Sequence, residues 1–401
     1  FFHDIPALKM FPLGSIALSF MLESSRVIQM NKKWMPLAFC GLLMLGGCQS
    51  RPKEPELTRY SNMALDAGFD TVMTLTGYTE TEDQFNQYFA EMKQLFLHYN
   101  ALFDVYNDYA GLNNIKTIND NAGIAPVSVD PEIIELLNTA RQFYDLSEGE
   151  FDVTMGAVLK IWHTYRDEGI ALNNAGQLGQ VPSVEQLQKA QACTGWDKVE
   201  INEADSTVYL NQSFASLDVG GIAKGFAAGK VQQRLIEAGL VHGTVDAGGN
   251  ICTINNKPGN QDWRVGIRNP SGNGSLAIVE LPGSAAFVSS GDYERFYAAE
   301  DGSVYHHIID PQTLFPATYY HQVTIITENS GFADALSTAL FTMSYQDGLA
   351  LIERFRNTYP DQPIEVMWVI DPDQVPSGVT STAAGEYAVI MTDSMKNYLA
   401  Q

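Results

Sequence analysis

Apolar and polar positions change period within one stretch, residues 323–343. Residues 323–327 form a β-branched run that reads as a strand, a short polar turn follows, and residues 333–340 read as a helix. Upstream, the pattern predicts a strand over 69–78 and a helix over 81–99, where Phe85, Tyr88, Phe89, Met92, Leu95 and Phe96 recur at helical spacing. Asp130 before Pro131 predicts the cap and first residue of a helix reaching Tyr144. Residues 149–154 read as a loop, 155–166 as a further helix, and Ser183 as the cap of a short helix over 184–192. In the second half, 199–202 and 207–210 pattern as a strand pair, and 226–238 as a helix stopped at Gly239. Residues 243–246, 263–267, 276–281, 286–290 and 305–309 read as strands. Strands that close as hairpins, mixed with helices in no regular alternation, predict an α+β fold rather than βαβ winding.

One other apolar run has a different meaning. Residues 34–45 follow the positive start Met30-Asn31-Lys32-Lys33 and precede Leu45-Gly46-Gly47-Cys48. That order predicts a secretory signal over 30–47, and the run is too short to span a bilayer as a mature helix. Small residues directly before Cys48 resemble the lipobox of bacterial lipoproteins. The resemblance implies lipidation at Cys48, export, and anchoring to the cell membrane on the side facing away from the cytoplasm, the periplasmic side where an outer membrane exists. Residues 1–29 read as an upstream segment outside the native start, 48–60 as lipid anchor and tether, and 61–401 as one functional domain. With Cys40 lost in the signal and Cys48 used as anchor, Cys193 and Cys252 remain, too few for a disulfide scaffold or zinc site. Whether they pair stays open. The net charge of −23 argues against nucleic acid as a partner. It also means that a phosphate ligand needs a local cation.

Two segments offer that cation. On a helix, Asp334 and Thr338 share a face one turn apart, giving a carboxylate and a hydroxyl to an ion such as Mg²⁺. The plainer reading is a first-turn acid beside an ordinary helix residue. Residues 216–227 contain Gly220-Gly221 and Lys224; the glycines let backbone approach a ligand, and the next helix points N–H groups at the loop. The plainer reading is a strand-to-helix turn with a surface lysine. Residues 243–250, with Asp246, fit a hairpin turn as well as a ligand contact. His306 and His307, adjacent on a strand, face opposite sides and do not share one metal. No GxSxG elbow is present.

These segments fall in a known order. The blocks FDTVMTL, EFDVT, SLDVGGIAKGFA, VDAGGN, VSSGDYERF, HHIIDP and ADALSTALF, from about Phe69 to Thr342, resemble the ApbE family of FAD:protein FMN transferases. The resemblance implies a T-fold-like α+β domain with FAD in a cleft between two lobes. It implies Mg²⁺-dependent transfer of FMN from FAD to a Thr or Ser hydroxyl of a partner, a flavin-accepting subunit of a membrane redox complex or an exported flavoprotein, with release of AMP. By the same resemblance, Asp334, Thr338 and the Gly221 carbonyl hold the metal. Phe69, Glu150, Phe151, Asp152, Asp218, Lys224 and Ile308 contact FAD, Ile308 through its backbone. Asp334 and Lys224 serve the chemistry, with the proton acceptor open between Asp334 and a water on the metal. Two departures from the family pattern are Leu314 and Asp70, each where glycine is usual. The same residues also suit a metal-dependent FAD pyrophosphatase or a flavin-binding lipoprotein without chemistry.

Overall fold

The computed structural model describes residues 56–272 and 274–400. The upstream segment, the signal and Cys48 lie outside the described residues. Strands β1 (Thr58–Ala64) and β2 (Met73–Thr79) are followed by helices α1 (Glu82–Phe103) and α2 (Ile115–Asp120), strand β3 (Val127–Ser128), and helices α3 (Pro131–Ser147), α4 (Gly156–Asn174) and α5 (Val184–Gln191). Strands β4 (Val199–Asn202) and β5 (Thr207–Leu210) lead to helix α6 (Ala223–Glu237). Then come β6 (Gly243–Ala247), β7 (Asn250–Ile254), β8 (Trp263–Arg268), β9 (Ser275–Leu281), β10 (Ala286–Gly291), β11 (Phe296–Ala298), β12 (Val304–His306) and β13 (Gln322–Thr327). Helices α7 (Ser330–Phe341) and α8 (Tyr345–Thr358) precede β14 (Glu365–Ile370), β15 (Thr382–Ala384) and β16 (Tyr387–Met391).

The main sheet has nine strands in the order β1-β2-β6-β7-β10-β13-β14-β16-β15, every neighbouring pair antiparallel. Alternate side chains leave opposite faces. Ile325, Val366 and Trp368 enter a core shared with helices α1, α6 and α7, whereas Ile326, Met367 and Val369 pack with Trp263, Ile267 and Leu281 of the β8–β9 hairpin. With both faces covered, β13 and β14 are buried along their whole length. A smaller core joins α4 to the β11–β12 hairpin through Val158, Trp162, Tyr297 and Leu314.

The mixed α+β reading holds, and most elements fall where the pattern puts them. Thr81, Asp130 and Ser183 cap α1, α3 and α5 as expected. Several boundaries differ. The strand expected over 69–78 begins only at Met73, because Phe69 (φ 56°) and Asp70 (φ 50°) turn into left-handed backbone. Residues 58–60 belong to β1 and not to the tether; Thr58 pairs with Thr79. Helix α6 starts at Ala223 rather than 226, which puts Lys224 on its first turn. The strand expected over 305–309 stops at His306, where the Ile308 N–H turns back to the His306 ring.

Candidate active site

Helix α7 is the platform. Asn329 caps it, its side chain accepting the Phe332 N–H, and its body is buried because it crosses β10 and β13 and packs against α6. Gly225 permits that last contact: a Cβ there would lie 2.3 Å from the Ser330 carbonyl and 2.5 Å from the Asp334 Cβ. The Gly225 N–H donates to Asp334 Oδ2 at 2.8 Å. One N–H at the N-terminus of α6 is therefore already taken by a protein carboxylate. Asp334 is buried, and burial pushes its carboxyl above the usual range, against the Lys224 charge, the Gly225 N–H and the Asn250 amide.

One turn further on, the Thr338 hydroxyl lies 3.4 Å from the Gly221 carbonyl oxygen. A Cβ on Gly221 would sit 3.1 Å from the Phe151 ring and 3.3 Å from Thr338 Oγ1. Asp334, Thr338, Gly221, Phe151 and the Lys224 turn are thus gathered at the α6–α7 crossing. Among the described residues no three His, Cys, Asp or Glu side chains cluster as a metal site. A cation here would rest on one carboxylate, one hydroxyl and one carbonyl, hard oxygens suited to an ion that keeps water and phosphate ligands. The buried carboxylate, with no Lys or Arg among the described residues in a direct ion pair, fits such an ion.

The other expected residues surround this crossing. The Thr342 hydroxyl reaches the Glu150 carbonyl at 3.3 Å. Glu150 takes the Gln312 amide on Oε1 at 3.2 Å and leaves Oε2 buried without a partner among the described residues, and burial raises its carboxyl. Asp152 spends its carboxylate on the Thr154 N–H and hydroxyl at 2.8 and 2.7 Å, a local turn that shapes the loop. Asp218 Oδ1 accepts the Gly220 N–H at 2.9 Å, while Oδ2 lies 3.7 Å from His163 Nε2. Ile308 is buried, its N–H donating to His306 Nδ1 and its carbonyl accepting from Ala317 N–H. Both backbone groups of Ile308 thus have protein partners. Phe69 has its contacts on α1: its N–H donates to Asn100 Oδ1 at 2.6 Å and its ring meets Phe96 edge-on. Asp246 closes the β6–β7 turn by accepting the Gly249 N–H, so that block is a hairpin. Cys193 and Cys252 are both free, and burial lifts the Cys252 thiol to about 12.

Three further residues stand close to this set. Asn250, buried at the start of β7, faces Asp334. His163 reaches Asp218 from α4. His307 keeps a buried Nδ1 without a partner among the described residues, and burial with the nearby His306, Arg295 and Lys224 holds its imidazole neutral. His306, in contrast, is packed: its Nε2–H donates to the Ala317 carbonyl at 2.8 Å.

Fold and site together describe an α+β protein with a cluster of hard oxygens where two helices cross. Residues 69–360 match the model of the ApbE family. An FAD:protein FMN transferase from Treponema pallidum is 38% identical over 256 residues, covering 60% of this chain and 68% of that protein. One from Haemophilus influenzae is 27% identical over 330 residues, covering 79% and 89%. Among solved structures, the ApbE protein of Thermotoga maritima superposes with a TM-score of 0.70 at 27% identity, covering 86% of this chain and all (100%) of that one. The flavin transferase ApbE of Vibrio cholerae shares the fold, with a TM-score of 0.66 at 23% identity and 86% and 99% coverage. The chain belongs to the ApbE family.

Proposed function

We propose that the protein transfers FMN from FAD to a Thr or Ser hydroxyl of an acceptor flavoprotein and releases AMP. The observation that carries this reading is the α6–α7 crossing, where the Thr338 hydroxyl and Gly221 carbonyl lie 3.4 Å apart, one helical turn from the Asp334 carboxylate. Family membership and relatives named FAD:protein FMN transferase support it. A Mg²⁺ held by Asp334, Thr338 and Gly221 would neutralise charge on the FAD pyrophosphate.

The chain's own groups do the rest. Lys224, on the first turn of α6, holds the phosphates. Phe151, Asp218 and Ile308 line the path of the dinucleotide. The acceptor oxygen attacks the FMN phosphorus, the bond from that phosphorus to the bridging oxygen breaks, and AMP leaves with that oxygen. His307, neutral and with a buried Nδ1 that has no partner among the described residues, is our candidate to take the hydroxyl proton. Export and lipid anchoring at Cys48 complete the reading, supported by the signal pattern over 30–48. The acceptor would then be a flavoprotein domain, soluble or part of a membrane redox complex, facing the same compartment.

Incubating an acceptor domain with the protein, FAD and Mg²⁺ tests the reaction by covalent flavin fluorescence on a denaturing gel. A fluorescent acceptor band that EDTA abolishes is expected. Free FMN and AMP without labelled acceptor would make the protein a pyrophosphatase, and intact bound FAD would make it a carrier.

A further inference from the structure

His163 lies on α4, outside every block that carries the family resemblance, yet it touches both Tyr106 and Asp218, a residue expected to contact FAD. Its Nδ1 is 2.5 Å from the Tyr106 hydroxyl and its Nε2 is 3.7 Å from Asp218 Oδ2. Its side chain is 21% exposed and that of Asp218 13%, so water competes weakly at this contact. The Tyr106 ring stays 60% exposed beside it, 5.9 Å from the imidazole by ring centres.

Proton placement follows from the partners. A phenol is protonated at neutral pH and donates, so Nδ1 must accept. The ring proton then sits on Nε2 and faces the Asp218 carboxylate. Asp218 in turn holds the Gly220 N–H at 2.9 Å, next to the Gly221 carbonyl. A single neutral imidazole thus connects Tyr106, on the segment after α1, to the glycine loop before α6. The other ionisable groups facing it are Arg166 and Asp167 on α4 and Arg295 after β10.

The geometry points to His163 as a positioning residue for FAD: as the Nε2–H tautomer it fixes Asp218 and Tyr106 in one arrangement, and FAD affinity depends on it. This rests on the flavin-transfer reading. Burial holds the imidazole below its ordinary range, against the Asp218 charge, which keeps the tautomer in place at neutral pH. In acid the ring gains a proton on Nδ1; the Tyr106 hydroxyl must then turn to accept instead of donate, and the charged ring pulls harder on Asp218, so the neutral arrangement changes.

The test is FAD binding by flavin fluorescence, read from pH 5 to 8 with wild type, His163→Gln, His163→Ala, Tyr106→Phe and the His163→Ala/Tyr106→Phe pair, alongside thermal melts. Wild type should bind FAD and lose affinity in acid. His163→Gln and His163→Ala should weaken binding on the order of tenfold at neutral pH, as for a lost hydrogen bond to a charged group, and both should flatten the acid loss. The double variant should be no weaker than His163→Ala alone, because Tyr106 acts through the imidazole. Wild-type affinity in His163→Ala, an unchanged acid loss in the variants, or simple addition in the double variant would overturn the assignment while leaving flavin transfer standing. Absence of FAD binding by the wild type would remove both.

Discussion

At the scale of single residues, the two departures from the family pattern turn out to be one kind of event. Asp70 and Leu314 stand where the family commonly has glycine, and both adopt left-handed backbone, φ 50° and 65°. The turns are kept and the strain of a side chain is accepted, about 1 kcal/mol each. Surroundings decide what glycine would do. Asp70 is exposed, so Asp70→Gly should stabilise by about 0.5 kcal/mol once the extra unfolded-state freedom is subtracted. Leu314 is buried in the core around Trp162, whose Nε1–H donates to its carbonyl at 2.8 Å. Leu314→Gly should therefore destabilise by about 2 kcal/mol, burial outweighing relief of strain. Denaturant midpoints of the two variants check both signs. Asp334 carries the larger functional stake. Asp334→Asn should cut Mg²⁺-dependent transfer at least on the order of a hundredfold and remove any Mg²⁺-induced rise in melting temperature, with the fold retained.

At the scale of elements, the site depends on how closely α6 crosses α7. Gly225→Ala puts a Cβ 2.3 Å from the Ser330 carbonyl and 2.5 Å from the Asp334 Cβ. The helices must part, at a cost of about 1–3 kcal/mol, and the Gly225 N–H leaves Asp334. Melting temperature and FAD affinity should fall together, whereas Gly229→Ala on the same helix, with Ser330 Cβ at 3.8 Å, should leave both near wild type. The sequence made much of this crossing legible. The i, i+4 spacing of Asp334 and Thr338 set their common face, and the glycine pair marked a close approach. It did not show that the N-terminus of α6 already holds Asp334, because that pairing is between residues 225 and 334 and leaves no local periodicity. Asn250 and His163 were hidden for the same reason. The strand expected from Phe69 failed locally: its β-branched pattern outweighed two left-handed residues that only the backbone reveals. Helix α4 runs past Arg166 to Asn174 because Gly169 packs under the Tyr297 ring, a contact between residues far apart in sequence.

At the scale of the whole molecule, the antiparallel sheet is tied at one end by a charged clamp. His321, just before β13, places Nδ1 2.7 Å from Asp292 Oδ2 and Nε2 3.2 Å from Asp371 Oδ1, joining the ends of β10, β13 and β14. Asp292, opposed by burial, lifts the imidazole to about 9, with Asp371 adding to it. A raised folded-state value stabilises fully below the unfolded imidazole range near 6.5, and the gain is lost as pH climbs through about 9. With Asp371 partly exposed, the clamp is worth on the order of 2 kcal/mol. Wild type should therefore melt several degrees above His321→Gln at pH 6 and close to it at pH 10; a gap independent of pH would contradict the clamp. The net charge of −23 makes the Lys224 turn and a bound cation the natural places for a dinucleotide pyrophosphate. The most direct measurement is the intact mass of an acceptor flavoprotein domain after incubation with FAD, Mg²⁺ and either wild type or Asp334→Asn. One added FMN on a Thr or Ser with wild type, and none with the variant or with EDTA, is the predicted result. Equal labelling by both proteins, or none by the wild type across several acceptor domains, would contradict it.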